Sequence, residues 1–218
     1  MLRLKKLKLR SSIGSCFFFF LCAGAVYAQI AARLPELKQQ INIHDGQIGS
    51  LLFCMGVGSL LGFLLAGSLC RFFESKWLLR VSCISLLIVS ILIGFASSFE
   101  FLCVFFFLLG LSTGIYDVCM NTQAINLELT FKQNYLSLMH ACYSIGCLLG
   151  SFLSACLAFA SFSLGLSFSL VGIVFFCAFL LLQTYLINDI KRSETKLVKN
   201  ERKKPLPFFV VFCGIMAL

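Results

Sequence analysis

The sequence predicts an all-α membrane protein of six transmembrane helices, arranged as a 3+3 inverted repeat and followed by the start of a seventh. Three observations predict it. Hydrophobic residues make up 60% of the 218-residue chain and charged residues only 12%, with a mean hydropathy of +0.97. A soluble domain uses about a quarter charged residues to cover its surface, so this chain must use the lipid bilayer as its solvent. Six continuous apolar stretches each approach the roughly 20 residues that cross hydrocarbon as a helix. Finally, two of these stretches, three spans apart, share one pattern.

The spans read as residues 13–32, 48–70, 78–98, 101–124, 136–159 and 164–187. They are continuous rather than alternating, which favours helices over a barrel. Residues 1–12 form a basic arm, 13–187 the six-helix domain and 188–206 a basic linker; residues 207–218 begin a further span too short to cross. The first span has a competing reading as a cleavable leader, with Val26-Tyr27-Ala28 as its processing site. Its apolar run is long for a leader and five more spans follow, so it is read as a span.

Of the 18 Lys and Arg, all but Arg33 and Lys38 fall on one side of these spans. Basic residues mark the cytoplasmic side, which places the N-terminus and the 188–206 segment inside. The formal charge of +9 therefore reports topology, and no nucleic-acid partner is expected. The 12 cysteines sit mostly in apolar runs without a C-x-x-C spacing. They read as small hydrophobes, with neither metal nor cofactor expected. The 25 phenylalanines read as lipid-facing bulk. Trp77 and Arg80 read as interfacial anchors, and His44 as part of a polar outer loop.

The repeated pattern is Gly58-Ser-Leu-Leu-Gly62-Phe-Leu-Leu-Ala-Gly-Ser-Leu69 against Gly146-Cys-Leu-Leu-Gly150-Ser-Phe-Leu-Ser-Ala-Cys-Leu157. The offset of 88 residues equals three spans, and the copies cross in opposite directions, as inverted repeats do. G-x-x-x-G pairs at Gly58/Gly62, Gly110/Gly114 and Gly146/Gly150 let helix backbones approach closely. These faces either pack statically or slide against one another.

One acid, Asp117, lies well inside a span. A charge near a helix centre costs about 2.5–3.5 kcal/mol on insertion scales, so Asp117 should face the protein interior or a water-filled cavity. Asn121 lies one turn on along the same face, with Thr113 and Gln123 nearby and His140 entering from span five. These residues form either a buried polar network that pins helices together or a substrate and proton site, in which a desolvated carboxyl takes up and releases a proton near neutral pH. Tyr27 and Gln29 are further candidates at the outer end of span one. Tyr116 and Tyr143 read equally as packing or as sugar-stacking residues.

The run Asp117-Val-Cys-Met-Asn121-Thr-Gln123, followed by Leu138-Met-His140-Ala-Cys-Tyr-Ser144-Ile-Gly146, resembles bacterial major facilitator proteins. It is similar to their fucose/glucose permease branch, and the resemblance extends to Arg33-Leu-Pro35 and Gln47-Ile-Gly49. It implies an N-terminal six-helix half of a 12-helix fold and a role for Asp117 and Asn121 in proton-coupled sugar transport. It also makes Gly67, Arg71, Glu74 and Lys76 the gating loop between spans two and three. There the family pattern G-x-L-x-D-R-x-G-R-R/K is degraded, with Arg71 at the Asp position and Glu74 at the second Gly position.

The implied function is a secondary transporter of the bacterial inner membrane that moves a small polar solute, expected to be a sugar, with protons as candidate coupling ions. A multidrug exporter is the alternative within the family. From a different class, the chain is a truncated non-transporting remnant or an accessory protein that needs a missing C-terminal half. An enzyme is not expected, because no nucleophile–base pair, metal spacing or phosphate loop is visible.

Overall fold

The computed structural model describes residues 2–190. The expected start of a seventh span and residues 191–206 of the basic linker lie outside the described residues. Seven α-helices follow in order: α1 (Leu2–Ala32), α2 (Leu34–Ile41), α3 (Asp45–Leu69), α4 (Ser75–Gly94), α5 (Phe99–Phe131), α6 (Leu136–Phe159) and α7 (Leu164–Leu182). A single 3-10 turn, Gln183–Tyr185, ends the described fold. All but α2 contain a stretch long and apolar enough to cross a membrane. Two ends of the bundle are distinguished below. The basic end carries Arg71, Lys76 and Lys132; the far end carries α2.

The observed helices differ from the predicted spans at their ends. The first continues through the basic arm without a break, and the fourth runs past residue 124 to Phe131, where Lys132 adopts a left-handed conformation (φ 54°) and stops it. Hydropathy marks only the hydrocarbon-crossing part of a helix, whereas hydrogen bonding carries it beyond. Glu128, on that extension, accepts from the backbone N–H groups of Tyr135 (2.8 Å) and Leu136 (2.9 Å) and so caps the start of α6.

The expected polar outer loop is partly helical. Pro35 opens α2, where a missing N–H costs nothing. Asn42 (φ 55°) closes it, and Leu37 is buried. His44 then starts α3 through a reciprocal capping box with Gln47: its ring nitrogen accepts from the Gln47 N–H, and the Gln47 side chain accepts from the His44 N–H.

Packing follows the repeat. α3 lies along α5, α1 lies along α6, and α4 joins α5 and α7. Exchanging the first three spans for the last three turns the α3·α5 pair into the α6·α1 pair, so the glycine faces are equivalent. A Cβ on Gly58 or Gly62 would strike the carbonyl oxygens of Phe107 and Leu111, and one on Gly110 or Gly114 those of Met55 and Ser59. One on Gly146 or Gly150 would strike those of Leu21 and Ala25, and Gly24 answers against Tyr143. α1 is the most enclosed span, with 72% of its most apolar window buried, against 17% for α3 and for α6. The phenylalanines divide accordingly. Phe53 and Phe152 face outward as expected, but Phe19, Phe20, Phe106, Phe168 and Phe179 are core.

Arg33 clamps the far end. It is only 2% exposed and donates to the carbonyl oxygens of Phe162 (2.7 Å) and Ser154 (3.3 Å) and to Ser167 Oγ (3.4 Å), with Glu36 as its ion-pair partner at 2.9 Å. One guanidinium thus ties the junction of α1 and α2 to α6, to the turn after it and to α7. Arg33→Met would keep much of the apolar volume but leave those acceptors without their donor, at about 1–3 kcal/mol for a group desolvated in this way. A fall of several degrees in the aggregation temperature of the detergent-solubilised protein is expected.

Candidate functional site

The glycine seam brings α3 close to α5, and the small side chains beside it leave a cavity of about 290 Å³ among α1, α3, α4, α5 and α6. Its polar lining is Tyr27 of α1, Ser59 of α3, Thr113, Tyr116 and Asp117 of α5, and Tyr143 of α6. Its apolar lining includes Ala23, Val26, Met55, Leu86 and Leu109. Among the described residues, one acid and no base line this space.

Two of the lining hydroxyls are already committed. Thr113 donates back to the Leu109 carbonyl (2.7 Å), and the Tyr116 hydroxyl donates to the Phe19 carbonyl (2.7 Å), joining α5 to α1. That separates the two tyrosines left open by the sequence. Tyr116 is buried and structural at its tip, whereas Tyr143 is half-buried on the cavity wall. The Asp117 carboxylate is also half-buried, and among the described residues it receives no hydrogen bond and no ion pair.

The remaining candidates lie elsewhere. Asn121 donates from its amide to the Asp117 carbonyl (2.8 Å), folding along its own helix. His140 is exposed on α6 with its ring edge-on to Phe20, centroids 5.3 Å apart. Gln29 is buried, and its amide nitrogen has no partner among the described residues. Of the six candidate site residues, the structure brings Asp117 and Tyr27 to one cavity and leaves Asn121, Gln123, His140 and Gln29 out of its lining.

Gln123 belongs to a second constellation at the basic end. Its amide donates to Ser75 Oγ (2.8 Å) and the Ile187 carbonyl (2.9 Å), and its oxygen accepts from the Ile187 N–H (3.1 Å). Asp189 completes the arrangement, accepting from the Ser75 N–H (2.6 Å), from the Ser75 hydroxyl and from the Asn126 amide (2.8 Å). A carboxylate at the start of α4 also satisfies that helix's orphan N–H groups and its dipole. Gly67 and Arg71 line a cleft of about 640 Å³ together with Asn126 and Asp189. Lys76 reaches Glu74 (2.6 Å) and Asn188 (2.6 Å), and Arg80 donates to the Gln183 carbonyl (2.8 Å) while lying 4.6 Å over the Trp77 ring.

The chain after α7 thus brings an acid, Asp189, to the start of α4 and into the cleft that Arg71 lines. Sequence reasoning assigned Asp189 to a linker, and no local pattern ties it to Ser75. Asp189→Ala is expected to cost on the order of 1–2 kcal/mol, since Asp189 is only half-buried. The resulting fraying of the segment after α7 would show as faster hydrogen exchange at residues 183–190.

Comparison with known proteins closes the case for the family. The model of the Major Facilitator Superfamily matches residues 15–218. An uncharacterised transporter of Sinorhizobium fredii is 28% identical over 132 residues, which is 61% of this chain and 35% of that protein. An uncharacterised MFS-type transporter of Yersinia pestis is 32% identical over 140 residues, 61% of this chain and 34% of its own length. The match thus spans about a third of these relatives. Among solved structures, that of the nucleoside transporter NupG superposes with a TM-score of 0.68 at 13% identity, covering 84% of this chain and 45% of that one. Fold, glycine seams and sequence agree, and the chain belongs to the Major Facilitator Superfamily.

Proposed function

We propose that the chain supplies the N-terminal, substrate-contacting half of a secondary transporter that moves a small neutral polar solute, a sugar or a similarly hydroxyl-rich molecule, with Asp117 carrying the coupling proton. The carrying observation is the Asp117 carboxylate, which among the described residues has no partner, in a cavity lined by Tyr27, Ser59 and Tyr143 and, among those residues, by no basic group. An acid retained inside a span at a cost of about 2.5–3.5 kcal/mol marks a functional site by default. A cavity with one acid and no base disfavours anionic substrates. Hydroxyl and carboxylate acceptors beside aromatic faces suit a polyol or a nucleoside. The excess of basic residues on one side of the spans supports a cytoplasmic N-terminus in a bacterial inner-membrane protein. Sites in this superfamily lie between two six-helix halves, so a second half completes the cavity.

The test is uptake into vesicles containing the natively expressed protein, with labelled sugars, nucleosides and amphipathic dyes offered in turn. Uptake of a neutral hydroxyl-rich solute, stimulated by an inward proton gradient, is expected. Outward movement of dyes with no sugar or nucleoside uptake would favour the multidrug exporter. Movement of nothing would favour an accessory or non-transporting protein.

A further inference from the structure

The glycine seam between α3 and α5 has a register that continues beyond the glycines. Both helices run from the far end to the basic end, and Gly58 meets Phe107 as Gly62 meets Leu111, backbone against backbone. One helical turn outward along the same register stand Cys54 and Cys103. Two turns inward from the Gly62 contact stand Cys70 and Cys119. In both pairs the parallel register sets a cysteine of α3 beside a cysteine of α5. A cysteine pair therefore brackets the seam at each end, although the partners are far apart in sequence and no C-x-x-C spacing betrays them.

The pairs differ in access. Cys54 and Cys103 are both half-buried, and Cys103 lies one turn from the far-end start of α5. Cys119 is fully buried, so the inner pair has one thiol that an oxidant cannot reach. A disulfide needs Cα atoms about 4.4–6.8 Å apart, and the neighbouring turn, where Gly58 meets Phe107, is already in backbone contact. We infer that Cys54 and Cys103 are an oxidisable dithiol whose disulfide staples α3 to α5 beside the cavity, while Cys70 and Cys119 stay reduced.

The oxidant is an external disulfide. The thiolate of one cysteine attacks it, forming a mixed disulfide and releasing one thiol. The second cysteine's thiolate then attacks the protein sulfur of that mixed disulfide and releases a second thiol. Two protein thiols lose two electrons and two protons in all, and the external disulfide is reduced to two thiols. Met55 and Gly56, which follow Cys54, line the Asp117 cavity, so the staple would fix the outer part of that wall. With the far end outside the cytoplasm, the pair would face the compartment where disulfides persist.

The experiment reads chemistry rather than transport, so its result is independent of the proposed function. The natively expressed protein in detergent is treated with 2,2′-dithiodipyridine, remaining thiols are blocked with N-ethylmaleimide, and the digest is read by mass spectrometry. A peptide pair linked through Cys54 and Cys103 is expected, at about tenfold or more over any other cysteine pair, as accessible thiols react selectively. It should vanish in Cys54→Ser and in Cys103→Ser and persist in Cys70→Ser. Recovery of Cys54 and Cys103 as separate maleimide or pyridyl adducts in the wild-type protein would overturn the inference. So would equal linkage through Cys70 and Cys119.

Discussion

Asp117→Asn is expected to abolish proton-driven solute uptake while leaving the amount of protein in the membrane nearly unchanged. The two side chains have almost the same shape, so the cavity wall keeps its packing. Among the described residues the carboxylate has no hydrogen bond or ion pair to lose on substitution, and the cost of holding a charge inside the span is relieved. A group that only pinned helices together would need a partner to pin to, and the hydrogen bond from Asn121 goes to the Asp117 backbone, which survives the change. What Asn cannot do is bind and release a proton. Uptake under an inward proton gradient should therefore fall by about 100-fold or more, within the range seen when a proton-transferring group is removed. Exchange of solute without a gradient should persist to a larger fraction. Quantitative immunoblotting alongside uptake makes the separation. Parallel loss of abundance and uptake would mean that Asp117 holds the fold rather than the proton.

A subtler change distinguishes the cavity's tyrosines. Tyr143→Phe removes a hydroxyl from the wall without disturbing a bond between helices, and Tyr116→Phe removes the donor that binds the Phe19 carbonyl. The first is expected to raise the KM for uptake several-fold at unchanged stability. The second should lower stability by about 1 kcal/mol, the net worth of an ordinary buried hydrogen bond. Initial-rate kinetics and a thermal aggregation curve on the same preparations separate the two.

The sequence and the structure agree wherever the signal is one-dimensional. Six spans were legible because hydrocarbon imposes a length on any helix that crosses it. The glycine pairs were legible because a small residue one turn from another means close approach whatever lies opposite. Asp117 was legible because an acid in an apolar run needs a reason. What the sequence did not carry is which faces meet. Asn121 shares Asp117's side of the helix, yet its amide folds back onto its own backbone. His140 reaches the right region but points outward, and Gln123 turns away from the cavity to hold Ser75 and Ile187. Arg33 and Asp189 read as a topology mark and a linker acid, because Phe162 and Ser75, which they bind, lie more than 100 residues away. The short helix α2 was hidden by its polarity, its signals being Pro35 at the start and Asn42 at the stop.

The largest structural effect is expected at Gly110. A Cβ there would land on the carbonyl oxygen of Met55 and press on the N–H side of Ser59, both backbone, so no side chain can swing away to make room. Gly110→Leu must drive α3 off α5, and the displacement carries Gly114 away from Ser59 along the same seam. Overpacking a well-filled interface costs about 1–3 kcal/mol and sometimes more. Here a rigid helix meets a rigid helix, so the upper end applies, and most of the protein should be lost from the membrane fraction. The inverted repeat sharpens the test, because Gly24 of α1 occupies the matching place against Tyr143 of α6. Gly24→Leu should cost about as much. Gly49 and Gly67, both on α3, have no atom of another described residue within 4 Å of an added Cβ. Changing either to Ala should be tolerated, with a gain of up to about 1 kcal/mol where the helix gains Ala's propensity. If Gly110→Leu and Gly49→Ala instead leave equal amounts of folded protein, α3 and α5 are not in backbone contact, and the cavity beside them loses its wall.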